Sequence, residues 1–201
     1  MIDTETSSRI GVALNESSLL GLEYDSQRNI AAATFSVLTL PNADDPSPVD
    51  PRRQIVFSRI GRISVALRNA FWNVTDTPPI PISIDELLPT VQSFNGQPIY
   101  AWEFINHDDP SIETWKNRLS LDHKRTDGCT ENRISLFQES SVPERHLDLW
   151  IWFDQIEIRD SNQNKIPIDE FVAGGARWWE ALHDGDDRTD GYGISPGGNA
   201  T

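Results

Sequence analysis

Two short stretches concentrate side chains that bind metal ions. Imidazole and carboxylate groups occur together at Asn106-His107-Asp108-Asp109 and again at His183-Asp184-Gly185-Asp186-Asp187. Zn²⁺ or Mn²⁺ could use them if the two loops met in space. Clusters of acidic residues in loops are usually solvated turns, so the sequence predicts no metal or other cofactor. The residues that a metal site would use are His107, Asp108, Asp109, His183, Asp184 and Asp186.

A second set of candidate residues lies on strands rich in tryptophan. Tryptophan rings can stack on a sugar, and two carboxyl groups that face one cleft can hydrolyse a glycosidic bond. The candidate binding residues on this basis are Trp102, Glu103, Asp148, Trp150 and Trp152. The competing interpretation is that a helix with Trp178 and Trp179 covers Trp150 and Trp152. The sequence favours this packing, because two exposed tryptophans would form an apolar patch that soluble proteins rarely tolerate.

No nucleophile or nucleotide motif is present in the sequence. The histidines His107, His123, His146 and His183 lie outside any G-x-S-x-G turn. The single cysteine, Cys129, lies in a predicted loop with no helix start behind it, which does not favour a reactive thiolate. Walker and G-x-G-x-x-G loops are also missing from the sequence. The sequence therefore assigns no catalytic residue and favours a non-enzymatic protein.

The charge and composition exclude two classes of partner. With 31 acidic and 17 basic residues the formal charge is −14, which repels a phosphate backbone and anionic lipid. The one basic group, Arg52, Arg53, Arg59, Arg62 and Arg68, is interpreted as a solvated strand face. No segment approaches the roughly 20 apolar residues of a membrane span, and the polar N-terminus lacks an export signal. We therefore predict a cytoplasmic protein without nucleic-acid or membrane partners.

The first half of the chain is predicted to form mainly strands. Residues Ser18 to Leu40 alternate as a β-hairpin does, and Gln54 to Ser58 form a further strand. Ile10 to Leu14 could add a strand before the hairpin. The run Arg62 to Asn69 fits a strand or a helix, and its alternating apolar residues favour the strand.

Prolines mark the breaks between these elements. The segment Pro41 to Pro51 holds four prolines and is predicted to be an exposed loop. The prolines between Thr75 and Pro81 mark a possible seam near residue 80, within a single domain of residues 1–201. A short helix starting near Pro89 follows, because Pro89 lacks the amide hydrogen that a longer helix would need there.

The second half of the chain predicts an antiparallel meander that ends in a helix. The predicted strands are Ile99 to Ile105, Leu119 to Asp122, Ile134 to Gln138 and Leu147 to Ile158. In the last of these the parity of apolar positions changes after Phe153, which indicates a bulge near Asp154 and Gln155. An amphipathic helix from Asp169 to Leu182 follows, weakened by Gly174 and Gly175, and residues 184–201 are predicted to be a loop or flexible tail.

Four short runs in this half resemble an uncharacterised bacterial domain family. They are Gly96 to Phe104, Arg118 to Asp122, Ile151 to Asp154 and Arg177 to Trp179. The resemblance covers roughly the second half of the chain. It implies no activity.

The expected architecture is mainly β, of the α+β class. We predict an antiparallel β-sandwich or a strongly curved sheet, with one or two short helices and a C-terminal helix packed on it. The expected function is that of a non-enzymatic cytoplasmic protein-binding module, of the immunity or inhibitor kind, whose acidic surface meets a basic partner. The alternative is a small-molecule or carbohydrate-binding domain, or a hydrolase, that uses the face with tryptophans and carboxylates.

Overall fold

Two five-stranded antiparallel sheets dominate the structure, a computed structural model. The structure describes residues 2–42, 50–71, 74, 77–106, 118–192 and 194, and for residues 100–106 it describes the backbone alone. The predicted class, mainly antiparallel β with short helices, is confirmed. No helix among the described residues is long and apolar enough to cross a membrane.

Helices, strands and 3-10 turns make up the described part of the fold. In chain order they are α1 (Thr4–Leu14), β1 (Ser18–Asp25), β2 (Ile30–Ser36), β3 (Arg52–Ser58), β4 (Arg62–Arg68), a 3-10 turn (Ile84–Glu86), α2 (Leu87–Gln92), β5 (Ile99–Asn106), β6 (Leu121–Lys124), β7 (Asn132–Ser141), β8 (Glu144–Phe153), β9 (Gln155–Arg159), β10 (Lys165–Ile166), α3 (Ile168–His183) and a second 3-10 turn (Asp187–Thr189). Sheet I has the spatial order β1-β2-β3-β9-β10, and sheet II the order β5-β7-β8-β4-β6.

Two long bent strands join the sheets at a corner. The chain runs from β3 through Arg59, Ile60 and Gly61 into β4, and from β8 through Asp154 into β9. β3 pairs with β9 in sheet I, and β4 pairs with β8 in sheet II. Strands that switch sheets in this way turn corners at bulges or bends. The change of parity at Asp154, predicted as a bulge, is therefore the point where the chain leaves one sheet for the other.

The two sheets enclose a common apolar layer through their inner faces. On sheet II this layer contains Ile63, Val65 and Leu67 of β4 and, opposite them, Ile151, Leu149 and Leu147 of β8. Sheet I contributes, among others, Ala31, Ala33, Phe35, Ile55 and Phe57 to the same cluster. Because side chains alternate along a strand, the residues of opposite parity lie on the outer faces.

The run Ile10 to Leu14, predicted as a possible strand, is part of α1 instead. Asp3 caps this helix, since its carboxylate accepts hydrogen bonds from the Thr6 amide at 2.8 Å and the Thr6 hydroxyl at 2.7 Å. Ile10, Ala13 and Leu14 are buried with the helical spacing of one face. A five-residue apolar run fits the period of a helix and that of a strand. The cap at Asp3, upstream of the run, favours the helix. The strand favoured for Arg62 to Asn69 is confirmed as β4, and the short helix predicted near Pro89 is confirmed as α2.

The C-terminal helix packs on the sheets as predicted, but not on the face that carries Trp150 and Trp152. Phe171 and Val172 of α3 belong to the apolar layer of the inner faces. Trp178 packs on Leu38 and Leu40, which follow β2, in a separate cluster. The prediction that α3 covers Trp150 and Trp152 is therefore wrong. The segment after β2, rather than β8, supplies the apolar surface that receives Trp178.

α1 and α3 approach each other very closely. A Cβ atom on Gly175 would lie 2.7 Å from the Cα atom of Ala13, closer than any relaxed contact allows. Gly175 therefore costs α3 some helix propensity but permits this packing. Gly175, which is predicted to weaken the middle of α3, is therefore required for the contact of α3 with α1.

Candidate functional site

The outer face of sheet II, called here the tryptophan face, carries the candidate residues Asp148, Trp150 and Trp152. Strand register aligns its residues in rows across β6, β4, β8 and β7. One row is Lys124, Arg62, Trp152 and Arg133, and the next is Asp122, Ser64, Trp150 and Ser135. Trp102 and Glu103 pair with Leu136 and Ser135 of β7, but their side chains lie outside the described part of the chain.

Trp152 is a packing residue rather than a ligand platform. It is 5% exposed, and the guanidinium carbons of Arg62 and Arg133 lie 5.2 and 5.5 Å from its ring centroid. Arg62 in turn donates two hydrogen bonds to Asp122, at 2.6 and 3.0 Å. Arg62, like Arg53 and Arg68, is buried, so the interpretation of this arginine group as a solvated strand face is wrong for these three.

Two carboxyl groups of the tryptophan face have pKa values shifted in opposite directions. Burial is the largest influence on Asp122, but hydrogen bonds and charge from Arg62 and a hydrogen bond from Ser64 outweigh it and lower its pKa. Burial raises the pKa of Asp148, and the charges of His146 and Arg68 offset this only in part. The face thus holds one carboxylate firmly ionised, and a second group that takes up a proton more readily.

The corner between the sheets gathers a thiol and two carboxylates. Ligand atoms of Cys129, Glu131 and Asp154 all lie within 4.8 Å of one another, a grouping that the sequence analysis missed because the fold joins distant segments. Arg59 already donates a hydrogen bond to the Asp154 carboxylate at 2.9 Å, and Asn132 donates to the Asp154 carbonyl at 2.7 Å. These contacts satisfy Asp154 with a positive group, so the cluster fits a structural role at the corner.

Of the six residues that a metal site would use, three lie outside the described part of the chain and three lie at the end of α3 or in the turn after it. His107, Asp108 and Asp109 lie outside the described residues. His183 and Asp184 are exposed at the end of α3. The side chain of Arg188 donates to the Asp186 carboxylate and, with the backbone amide of the same residue, lowers the pKa of Asp186 to about 2. Asp186 therefore serves the turn that follows the helix.

Most basic side chains in the described part of the chain are bound by the protein's own acceptors. Those that form ion pairs with carboxylates are Arg9, Arg28, Arg52, Arg59, Arg62, Lys124, Arg125, Arg159, Lys165 and Arg188. Others donate to backbone carbonyls, namely Arg53, Arg68, Arg145 and Arg177. The exposed acidic residues include Glu5, Glu23, Asp85, Glu144, Glu170, Glu180, Asp184, Asp187 and Asp190. The fold thus binds most of its described arginines with its own acceptors, although several of these arginines are themselves exposed, and it leaves many carboxylates at the surface.

Exposed carboxylates and aromatic rings meet at the C-terminal end of α3. Trp178 contacts Trp179 and Tyr192, with ring centroids 5.0 and 5.6 Å apart, and the Trp179 indole donates a hydrogen bond to the Val12 carbonyl at 3.1 Å. Val12 is 46% and Tyr192 54% exposed. The aromatic-acidic patch, as we call it, comprises Val12, Trp179, Glu180, Asp184, Asp187, Asp190 and Tyr192. The sequence does not predict this patch, because residues 184–201, which include Tyr192, are interpreted as a loop or flexible tail, although an aromatic residue among Gly and Asp is a signal.

The outer face of sheet I forms a shallow open groove of about 400 Å³. Its lining includes Ile30, Ala32 and Val56, with Arg28 and Arg159 among the polar residues around them. Enclosed, mostly apolar cavities are typical of small-molecule sites, whereas an open surface with an apolar centre and a polar border is typical of protein interfaces. The groove on sheet I is open and has an apolar centre with a polar border, so it is more typical of a protein interface.

No family model, curated protein or solved structure matches the chain. The resemblance to an uncharacterised bacterial family therefore stays a prediction. The function has to be inferred from the surface itself.

Proposed function

We propose that the chain is a non-enzymatic protein-binding module whose acidic surface binds a partner with a basic surface. The observation that carries this proposal is the separation of charge. Most described arginines bind the chain's own carboxylates or carbonyls. Exposed acidic residues therefore carry much of the excess negative charge that gives the chain its formal charge of −14. Complementary charge speeds association and rejects wrong partners more than it adds affinity. Such a module would act as an inhibitor or immunity protein does, inside the cell.

We expect the immobilised chain to retain a basic protein from a lysate at low salt and to release it as salt is added. The Debye length falls from about 10 Å at 0.1 M to about 3 Å at 1 M salt, so a complex steered by surface charge weakens over this range. The measurement is the salt concentration of elution, followed by the association rate of the purified partner at several ionic strengths. Recovery of no basic protein, or an association rate that ignores salt, would contradict the proposal.

A second candidate function is supported by one observation on the tryptophan face. Asp122 and Asp148 have pKa values shifted in opposite directions, and the partly exposed Trp150 shares a row with Asp122 and a strand with Asp148. Two carboxyl groups whose pKa values are shifted in opposite directions can act as a general acid and a general base. An exposed indole can stack on a sugar ring. We therefore keep a small-molecule or carbohydrate site at Trp150 as the alternative.

We expect Asp148→Asn to stabilise the unliganded chain at neutral pH. The pKa of Asp148 is higher in the folded than in the unfolded state, so ionisation of this carboxyl costs stability above the folded pKa. The gain should disappear below about pH 4, where the carboxyl is protonated in both states. Denaturant midpoints of both proteins from pH 3 to pH 8 measure this.

The same variant tests the second function. If Asp148 belongs to a ligand site, a sugar or nucleotide that raises the melting temperature of the wild type should fail to raise that of Asp148→Asn. A destabilised variant at neutral pH would show instead that the carboxylate makes a needed structural contact. A screen without any shift at millimolar concentrations would remove this candidate and leave the acidic-surface proposal untouched.

A further inference from the structure

We propose that the aromatic-acidic patch is the docking site for an arginine-rich segment of the partner protein. This inference rests on the proposed function and gives it a location and a chemistry. The patch is distinguished from the other exposed acidic residues by three features that occur together: several exposed carboxylates, accessible aromatic rings, and a buried donor that has no acceptor within the described residues.

The carboxylates belong to two consecutive segments, the end of α3 and the 3-10 turn after it. Glu180 and Asp184 are one helical turn apart at the end of α3. The chain then turns back, with the Asp186 amide donating to the Ala181 carbonyl at 2.9 Å, and Asp187 and Asp190 follow in the returning segment. The C-terminus of α3 adds the partial negative charge of the helix dipole at the same place. Arg188 lies in the same segment, but it is paired with Asp186, so the excess of carboxylates here still attracts a cation.

The aromatic rings favour arginine over lysine. A planar guanidinium group stacks on Tyr or Trp faces and keeps its hydrogen-bond donors free for carboxylates, which an ammonium group cannot do equally well. Tyr192 is more than half exposed, and Trp179, which contacts the same Trp178 ring, is partly exposed. The same fold already uses this chemistry internally, where Arg62 lies over the ring of Trp152.

Trp178 supplies an independent indication that the patch is incomplete. Its side chain is fully buried and touches both Trp179 and Tyr192, yet its indole nitrogen has no hydrogen-bond partner within the described residues. A buried donor without an acceptor is costly, and native proteins usually satisfy such groups. The backbone carbonyls of a docked segment are acceptors of the kind that this donor lacks.

Two other occupants fit the patch less well than a basic partner does. Residues 193–201 of the chain itself contain no Lys or Arg. A second copy would bring another formal charge of −14, with most of its basic side chains already paired. Charge complementarity therefore points to a different protein.

The test measures the affinity of nona-arginine and nona-lysine peptides for the full chain at about 50 mM salt, where screening is weak. The patch variant carries Glu180→Gln, Asp184→Asn and Asp190→Asn. A matched control removes three exposed carboxylates elsewhere, by Glu5→Gln, Asp85→Asn and Glu144→Gln. We expect the patch variant to bind nona-arginine about tenfold more weakly and the control less than about twofold more weakly, as summed surface ion pairs predict.

A third variant separates stacking from charge. Tyr192→Ala leaves every carboxylate in place, and we expect it to weaken nona-arginine binding about threefold while leaving nona-lysine binding nearly unchanged. Equal losses in the patch and control variants would overturn the patch but leave the acidic-surface proposal standing. A wild-type chain that binds neither peptide would overturn both. Melting temperatures of all variants confirm that the folded state is being compared.

Discussion

Trp178→Ala is expected to lower the free energy of unfolding by about 3–5 kcal/mol, the usual cost of truncating a buried tryptophan. Trp178 is the largest fully buried side chain among the described residues, and it packs between α3 and the segment after β2 that contains Leu38 and Leu40. Small domains are stable by only about 5–15 kcal/mol, so the variant should be close to unfolding. Denaturant midpoints of wild type and variant, with equal slopes, measure the difference.

Trp178→Phe is the matched control. Phenylalanine keeps most of the buried area and removes the indole nitrogen that lacks a hydrogen-bond partner within the described residues. The cavity and the removed donor act in opposite directions, so we expect a change of less than about 1.5 kcal/mol. An unchanged midpoint for Trp178→Ala would contradict the buried position of this ring.

The burial of Trp178 could be predicted from the sequence, but its neighbours could not. Amphipathic spacing in α3 identifies which side chains turn inward, because that depends on the local helical period. The surface that receives them is the segment after β2, more than a hundred residues earlier in the chain. A predicted contact with Trp150 and Trp152 was the simplest choice among tryptophan-rich segments, and periodicity gives no information against it.

One corner of the two-sheet arrangement could be predicted from the sequence, because the alternation of apolar and polar residues along the strand is interrupted there. The change of parity after Phe153 marks the corner because a strand that enters a second sheet must turn its inner face to a new neighbour. The matching corner between β3 and β4 carries no such signal, since Arg59, Ile60 and Gly61 read as an ordinary short loop. Only the pairing of both strands shows that the two bends coincide.

The negative charge of the candidate surface could be predicted from the sequence, but its position on the fold could not. The excess of acidic residues follows from composition alone. Which carboxylates remain exposed depends on pairs such as Arg62 with Asp122, whose members are distant in sequence. The same dependence on long-range pairing explains why a compact group of arginines reads as a solvated face while three of its members are buried.

Gly128→Ala should be the most damaging glycine substitution at the corner. A Cβ atom there would lie 2.5 Å from the carbonyl carbon of Ile60, and backbone atoms cannot rotate away as a side chain could. The loop would have to move off the corner and lose the hydrogen bonds from the Cys129 amide to the Arg59 carbonyl, 2.8 Å, and from the Arg125 amide to the Gly61 carbonyl, 2.9 Å. Overpacking and two lost hydrogen bonds together predict a loss of about 3 kcal/mol or more.

Gly21→Ala separates this steric effect from the general cost of replacing glycine. Its added Cβ would meet the end of the Leu88 side chain at 3.1 Å, which can move, so we expect a change within about 1 kcal/mol. Equilibrium unfolding of the two variants side by side measures the contrast. Because the corner carries both long strands, Gly128→Ala should destabilise both sheets in one transition, seen alike by fluorescence and circular dichroism. Equal midpoints for the two variants would refute the close packing of the loop on the corner.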